Sequence, residues 1–499
     1  MVVQQHTKEL LEGLAESLQV PPNRYEEAER RYKAVGNWLL RETSCVLDAA
    51  PKVYIQGSFR LGTVIRPISD GEDYDVDLVC ELSLSKMSLT QADLKALLGR
   101  EIQAYAEAHR MEDPEEGRRC WTQHYADEAR FHMDILPALP DAAHQRQLLE
   151  TRGFSTEWTD TAIAITDREH PEFRQHTVDW PHSNPKGYAN WFHSKMRAIF
   201  EARRYALALE ARANVEAIPY YEVRTPLQSA IQILKQYRDM MFAESPDDKP
   251  ISIILTTLAA HAYQQEATVS EALYSILNQL DRHIQDRNGV AWIANPTDPA
   301  ENFADRWATY PDRKTAFYKW LEQARRDFIG AAQASSRRLA IEALQPRLGQ
   351  HLMESVKSGR HGFRWFAKVL SPAHRKTPPW NYLDGGDVRI QRATHSRKGF
   401  RVQTFSSGSD PLPKYCNLIF EACTNVSQPY KVYWQIVNTG REAEDANGLR
   451  GGFDEGIVTK GKLIKKESTL YTGTHSIECF IVKQGYLAAR SGQFIVNIQ

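Results

Sequence analysis

Two carboxylates spaced two residues apart, Asp75 and Asp77, lie in the run Asp73-Tyr-Asp-Val-Asp-Leu78, downstream of a Gly57-Ser58 turn in Ile55-Gln-Gly-Ser-Phe-Arg-Leu-Gly-Thr63. Strand side chains repeat every two residues, so a strand here projects Asp75 and Asp77 from one face and sends Val76 and Leu78 into a core. Adjacent carboxylates repel unless a proton or cation offsets them, and a hard divalent cation with oxygen ligands does this well. A third acid, Asp134, interrupts the apolar run Arg130-Phe-His-Met-Asp-Ile-Leu-Pro137, where a central strand would not bury it without a partner. Three carboxylates are enough to hold two ions roughly 3.5 to 4 Å apart for phosphoryl transfer. Gly57 lets backbone approach a ligand, Ser58 adds a hydroxyl, and Phe59 to Val64 can open a short helix whose amides face a triphosphate.

Those residues must be carried by a sheet. Strands are predicted near 52–56, 75–82, 118–125, 130–136 and 161–166, with a helix around 90–110. Helical periodicity over 4–49, broken at Pro21-Pro22, predicts two helices beside that sheet. From 187 to about 345 the pattern is helical almost throughout, the pattern of a second lobe that closes a cleft. Past Ser371 come Pro372, Pro378, Pro379 and the basic His374-Arg375-Lys376, which read as a linker. Beyond residue 386 apolar alternation in Asn417–Ala422, Tyr430–Val437, Ile477–Val482 and Gln493–Val496 predicts a small all-β domain. Within it Trp434 and Tyr471 read either as sandwich core or as ligand contacts. The expected division is 1–186 catalytic core with N-terminal helices, 187–370 helical lobe, 371–385 linker and 386–499 all-β domain, an α+β chain overall.

The motifs Gly57-Ser58, Asp75-Val-Asp77-Leu and Asp134 resemble the signature of the DNA polymerase beta nucleotidyltransferase superfamily. More narrowly, Gly-Ser-Phe-Arg-Leu-Gly-Thr with Asp-Tyr-Asp-Val-Asp-Leu resembles the bacterial cGAS-like CD-NTases of anti-phage CBASS systems. The segment from about 380 to 499 is similar to the adenylyl/guanylyl and SMODS C-terminal sensor (AGS-C) domain appended to some of them. The spacing from Ser58 to Asp75 is slightly longer than is usual, and Asp73-Tyr74-Asp75 offers a competing register. Asp75 and Asp77 are preferred, because Val76 and Leu78 complete the alternation. The resemblance implies a bilobed nucleotidyltransferase fold and Mg2+, or Mn2+, on Asp75, Asp77 and Asp134. The activity it implies is joining of NTPs, ATP among them, into a cyclic di- or trinucleotide that acts on a downstream effector. It further implies triphosphate contacts from Lys235 and Ser252.

Other residues enter on their own patterns. Lys235 and Arg238 lie one turn apart on a helix and can meet a triphosphate together, and Pro250-Ile-Ser252 opens the next helix with free amides. Tyr188, in Ser183-Asn-Pro-Lys-Gly-Tyr-Ala-Asn-Trp-Phe192, is read as a base-stacking residue, with Trp191 and Phe192 packing between lobes. His132 shares a face with Asp134, as a residue behind the ligands or as a plain structural histidine.

A net charge of −1 gives no bulk attraction to long DNA or RNA, so an anionic ligand needs a local cluster. The six cysteines have neither Cys-x-x-Cys nor zinc spacing, which reads as reduced thiols in a cytoplasm. No apolar run is long enough for a membrane span. Two alternatives stand beside the synthase reading: a template-free transferase acting on RNA or protein, and a non-catalytic nucleotide sensor.

Overall fold

The computed structural model describes residues 3–20, 22–65, 74–125, 131–211, 223–357, 374–376, 378–380, 386–397, 399–407, 409, 411–456, 458–459 and 462–499. Asp73, and with it the competing register, lies outside these residues, as does Asp70. Helix α1 (Gln5–Leu18) and α2 (Pro22–Leu39) lead into β1 (Lys52–Ile55), α3 (Gly57–Leu61) and β2 (Tyr74–Glu81). Then come α4 (Gln91–His109), β3 (Glu115–Glu116), β4 (Trp121–Tyr125), β5 (Phe131–Pro140), α5 (Ala142–Thr151), β6 (Ile163–Ile165) and β7 (His182–Ser183). The strands form one mixed sheet in the order β1-β2-β5-β4-β3, with β6 and β7 continuing from the far end of β5. The pair that matters is β2 with β5, which run parallel.

Alternation along β2 follows the sequence pattern: Tyr74, Val76 and Leu78 are buried while Asp75 is exposed. Val76, Leu78, Met133 and Ile135 join Leu94, Leu98 and Ile102 of α4 and Tyr25, Val35 and Leu39 of α2 in one core. Helix α4 starts where it does because Thr90 and Asp93 cap each other's backbone amides in a capping box. This buried face leaves the opposite face of the sheet free to carry charge.

The helical lobe comprises α6 (Pro185–Ala211), α7 (Pro226–Met241), α8 (Ser252–Ala262), α9 (Val269–Gln279), α10 (Arg306–Thr309), α11 (Pro311–Gln333), α12 (Arg337–Leu348) and α13 (Gln350–Lys357). Two hairpins, β8 (Gln285–Arg287) with β9 (Val290–Trp292) and β10 (Ala294–Asn295) with β11 (Asp298–Asn302), interrupt a stretch expected to be helical. Their tight turns, Asn288-Gly289 with both residues at positive φ among them, break the helical period. Helix α1 belongs here too, not beside the sheet: Leu10, Leu11, Leu14 and Leu18 are buried with α7, α9 and α12. The N-terminal helices thus divide at Pro21-Pro22, one to each lobe.

The C-terminal part is a β-sandwich. One sheet has the order β13 (Gln403–Phe405), β12 (Val388–Ser396), β14 (Asn417–Thr424), β18 (Lys462–Ser468), β17 (Val458–Thr459). The other runs β16 (Phe453–Gly456), β15 (Lys431–Val437), β19 (Gly473–Lys483), β20 (Tyr486–Arg490), with β21 (Phe494–Ile498) also on β19. Trp434 is fully buried between the sheets with Phe420, Ile477 and Ile481, so it is core. Tyr471 instead stands half-buried at the rim of a cavity of about 290 Å³.

The stretch expected to be a linker is packed where it is described. Arg375 is 3% exposed, its guanidinium 3.1 Å from Glu271 of α9 and 3.3 Å from Glu478 of β19. Trp380 stacks against Tyr433 with centroids 4.5 Å apart. A basic, proline-rich run looks solvated in one dimension; here the half-buried Glu271 and the buried Glu478, from different domains, give its arginine a place inside.

Candidate active site

Parallel pairing of β2 and β5 sets Asp77 directly opposite Asp134, and Asp75 opposite His132. Carboxylate oxygens of Asp75, Asp77 and Asp134 all lie within 4.8 Å of one another. Asp77 and Asp134 are half-buried, whereas Asp75 is exposed. Burial, then the neighbouring Asp75 and Asp134, push the Asp77 carboxyl up to about 7, against the pull of His132 and Lys235. Such crowding of like charge is unfavourable without a cation, and the donors are three hard oxygens, so the set fits a divalent ion of the Mg2+ or Mn2+ type.

Neighbouring strands hold these groups. Antiparallel pairing of β4 with β5 puts Thr122 opposite Asp134, where its hydroxyl donates to Oδ1 at 2.5 Å. His132 Nε2 is 3.4 Å from Asp75 Oδ1, and its ring faces that of His124 with centroids 6.0 Å apart. The histidine, on the same face of β5 as Asp134, stands next to Asp75. No sequence signal marks Thr122, because its role depends on the register of a strand pair.

The Gly57 turn lies directly over the acids. Gly57 has φ +62°, the Gln56 amide donates to the Asp77 carbonyl at 2.8 Å, and a Cβ on Gly57 would overlap the Asp77 carboxylate. Helix α3 starts at Gly57 itself, earlier than the expected Phe59, and stops after one turn at Gly62 (φ +64°). Ser58 is half-buried in that turn, its hydroxyl unbonded to protein among the described residues. Gly57→Ala should cost about 1–2 kcal/mol from the left-handed backbone alone. It should also displace Asp77, so that thermal unfolding and turnover fall together; unchanged turnover would show that the close approach is dispensable.

Helix α7 braces the turn from behind. Gln228 Nε2 donates to the Leu61 carbonyl at 2.9 Å, Gln232 Nε2 to Val64 at 2.6 Å, and Lys235 Nζ to the Thr63 carbonyl at 3.1 Å and its hydroxyl at 3.2 Å. These residues recur at i, i+4 and i+7, a polar stripe on a buried helix, and that signal was present in the sequence. Burial, then Arg238, lowers the Lys235 amine to about 7.

Lys235 and Arg238 do not converge on one ligand as expected. Arg238 is buried and committed to the Pro250 carbonyl and the Ser252 hydroxyl, each at 3.0 Å, and to Asp239. Ser252, exposed at the start of α8, does face solvent. Tyr188 needs a larger correction. It is 7% exposed, its ring packs on Trp191 and Phe303, and its hydroxyl meets Thr257 at 2.8 Å, so no face is left for a base. An aromatic at the first turn of a helix wedged between others is absorbed by the core.

Residues 51–137 match the nucleotidyltransferase domain of cyclic GMP-AMP synthase DncV-like proteins, and residues 372–499 match the adenylyl/guanylyl and SMODS C-terminal sensor domain. A c-di-GMP synthase of Roseivirga ehrenbergii is 26% identical over 63% of this chain and 76% of its own. The cyclic dinucleotide synthase CdnG of Bradyrhizobium diazoefficiens is 24% identical over 73% of this chain and 88% of its own. The solved structure of that CD-NTase in complex with GTP shares the fold, with a TM-score of 0.53 at 21% identity over 71% of this chain and 99% of the other. The first matched stretch contains the Gly57 turn and all three acids, the second the whole sandwich and Arg375, so the chain is similar to a DncV-like nucleotidyltransferase domain over 51–137 and to an AGS-C sensor domain over 372–499.

Proposed function

We propose that the protein is a cyclic dinucleotide synthase that joins two NTPs, GTP among them. A ribose hydroxyl attacks an α-phosphorus, a P–O bond forms, and pyrophosphate leaves. The observation that carries this reading is the in-register pair Asp77 and Asp134, with Asp75 alongside, beneath a glycine turn that admits a triphosphate. Relatives named c-di-GMP synthase and cyclic dinucleotide synthase favour a dinucleotide over a trinucleotide and point to guanine.

Asp75, Asp77 and Asp134 would hold the divalent cation, Mg2+ or Mn2+, which supplies charge neutralisation on the triphosphate and acidity to the attacking hydroxyl. Gly57 and Ser58 receive the donor triphosphate, the missing side chain at Gly57 letting the turn lie close over Asp77. Ser252, at the start of α8, supplies a further hydroxyl to it. Lys235 is assigned a positioning role: it fixes the Thr63 loop behind the turn and puts a positive charge near Asp77. Thr122 orients Asp134. Catalytic sheet with α2, helical lobe with α1, and sandwich beginning near residue 372 form the working units of this reading. Its product would act on a separate effector in bacterial CBASS defence, inside the cytoplasm; among the described residues no helix is long and apolar enough to cross a membrane.

Incubation with four labelled NTPs and Mg2+, followed by mass spectrometry, should yield a phosphatase-resistant cyclic dinucleotide, and chelation should abolish it. Label retained on added RNA or on protein would replace this reading with template-free transfer, and nucleotide binding without turnover would replace it with a sensor. Thr122→Val should lower kcat about 10- to 100-fold, as loss of an outer hydrogen bond to a ligand does, with KM for NTP nearly unchanged. A kcat within twofold of wild type would remove Thr122 from the machinery.

A further inference from the structure

A cavity of about 500 Å³ lies between the C-terminal sandwich and the loop that joins α8 to α9, far in the chain from the acids of the catalytic sheet. Its walls carry chemistry that nothing in the synthase reading uses. A β-bulge between Ile390 and Arg392 breaks the β12–β14 register. Before it Val388 and Ile390 pack on the sandwich core, and beyond it Ala393 does, so the bulge leaves both Arg389 and Arg392 on the outer, exposed side. Neither guanidinium has a partner among the described residues.

The opposite wall contains Gln493, 3% exposed, whose carboxamide nitrogen and oxygen are both buried and unpartnered. Gln265, contributed by the helical lobe at φ +58°, has an unpartnered carboxamide oxygen as well. Buried amides without partners are rare, and a fold keeps them where a ligand or water completes them. Phe405 adds an aromatic ring and Ser406 a hydroxyl to the same cavity.

We propose that this cavity binds a purine nucleotide, with its phosphate on Arg389 and Arg392 and its base edge on Gln493, bridging the sandwich to the helical lobe through Gln265. Paired guanidiniums match phosphate geometry. A glutamine carboxamide offers one donor and one acceptor side by side, the pattern a purine edge answers. The volume suits one small ligand rather than a nucleic-acid strand. Because the walls come from both domains, occupancy strengthens their docking.

The test uses the full chain photolabelled with 8-azidoadenosine and 8-azidoguanosine 5′-monophosphates, followed by peptide mapping. Label is expected on peptides spanning 389–407 or 491–494, reduced at least tenfold by Arg389→Ala with Arg392→Ala and at least threefold by Gln493→Leu, while NTP turnover in the arginine variant stays within twofold. Because both arginines are exposed, that variant still decides the matter if Gln493→Leu fails to fold. No label on those peptides, equal label in the variants, or competition by inorganic phosphate as strong as by the unmodified nucleotide would overturn the proposal. Absence of synthase turnover would bear on the proposed function alone, since the mapped label does not depend on it.

Discussion

Asp77→Asn is expected to abolish synthesis while making the metal-free protein more stable at neutral pH. Loss of a ligand at the centre of the carboxylate set should lower turnover by at least about 10³-fold, the scale seen when a charge-stabilising group is removed. Stability moves the other way because of what surrounds the group. Burial, Asp75 and Asp134 raise the Asp77 carboxyl from 3.8 to about 7. Between those values the folded protein holds a proton that the unfolded chain has released, so stability falls as pH rises from about 4 through 7. The loss is on the order of 2–4 kcal/mol when complete. Asparagine keeps the size and discards the titration, so the variant's melting temperature should be nearly flat over that window. Mg2+ should raise the wild-type melting temperature at pH 7.5 and leave the variant's almost unchanged. Equal pH slopes in the two proteins would sink the electrostatic account, and retained turnover would sink the catalytic one.

What could be read beforehand divides along a physical line. Asp75 and Asp77 were legible because strand alternation is a local property, and Asp134 because a lone acid in an apolar run needs a reason. Thr122 was not legible, since its bond to Asp134 exists only after β4 finds its register on β5. Lys235 was picked out for its charge, yet its neighbours Gln228 and Gln232 carry the better clue, a polar stripe on a helix that is otherwise buried. Tyr188 shows the converse failure: a side chain suited to stacking on a base is equally suited to a core, and only the lobe's packing distinguishes the two. Likewise, the helical period over 4–49 announced two helices but placed both beside the sheet, and only the packing of Leu10, Leu11, Leu14 and Leu18 shows that α1 belongs to the helical lobe.

Arg375→Met should destabilise the full chain by about 3 kcal/mol, because removing one member of a buried ion set leaves charge without compensation. Arg375 bonds Glu271 of the helical lobe together with Glu478 and Gln435 of the sandwich, and Arg490 adds a 2.6 Å bond to Glu478. Burial alone would raise Glu271, but Arg375, Arg490 and Lys8 bring it down to about 2. A carboxyl held below its unfolded value of 4.5 contributes stability that is complete above that pH and is lost as pH falls toward 2. The deficit of the variant should therefore be largest at pH 7 and shrink toward pH 3, where the wild type has given up much of the same stabilisation. Amide hydrogen exchange should locate the damage at the junction, with faster exchange in 266–272 and 490–495 and unchanged protection in β2 and β5. A deficit that does not vary with pH would mean that packing, not charge, holds the two domains. Exchange unchanged on both sides would mean that Arg375 does not staple them, whereas an accompanying change in synthesis rate would make this buried ion set the physical link between the sandwich and the catalytic lobes.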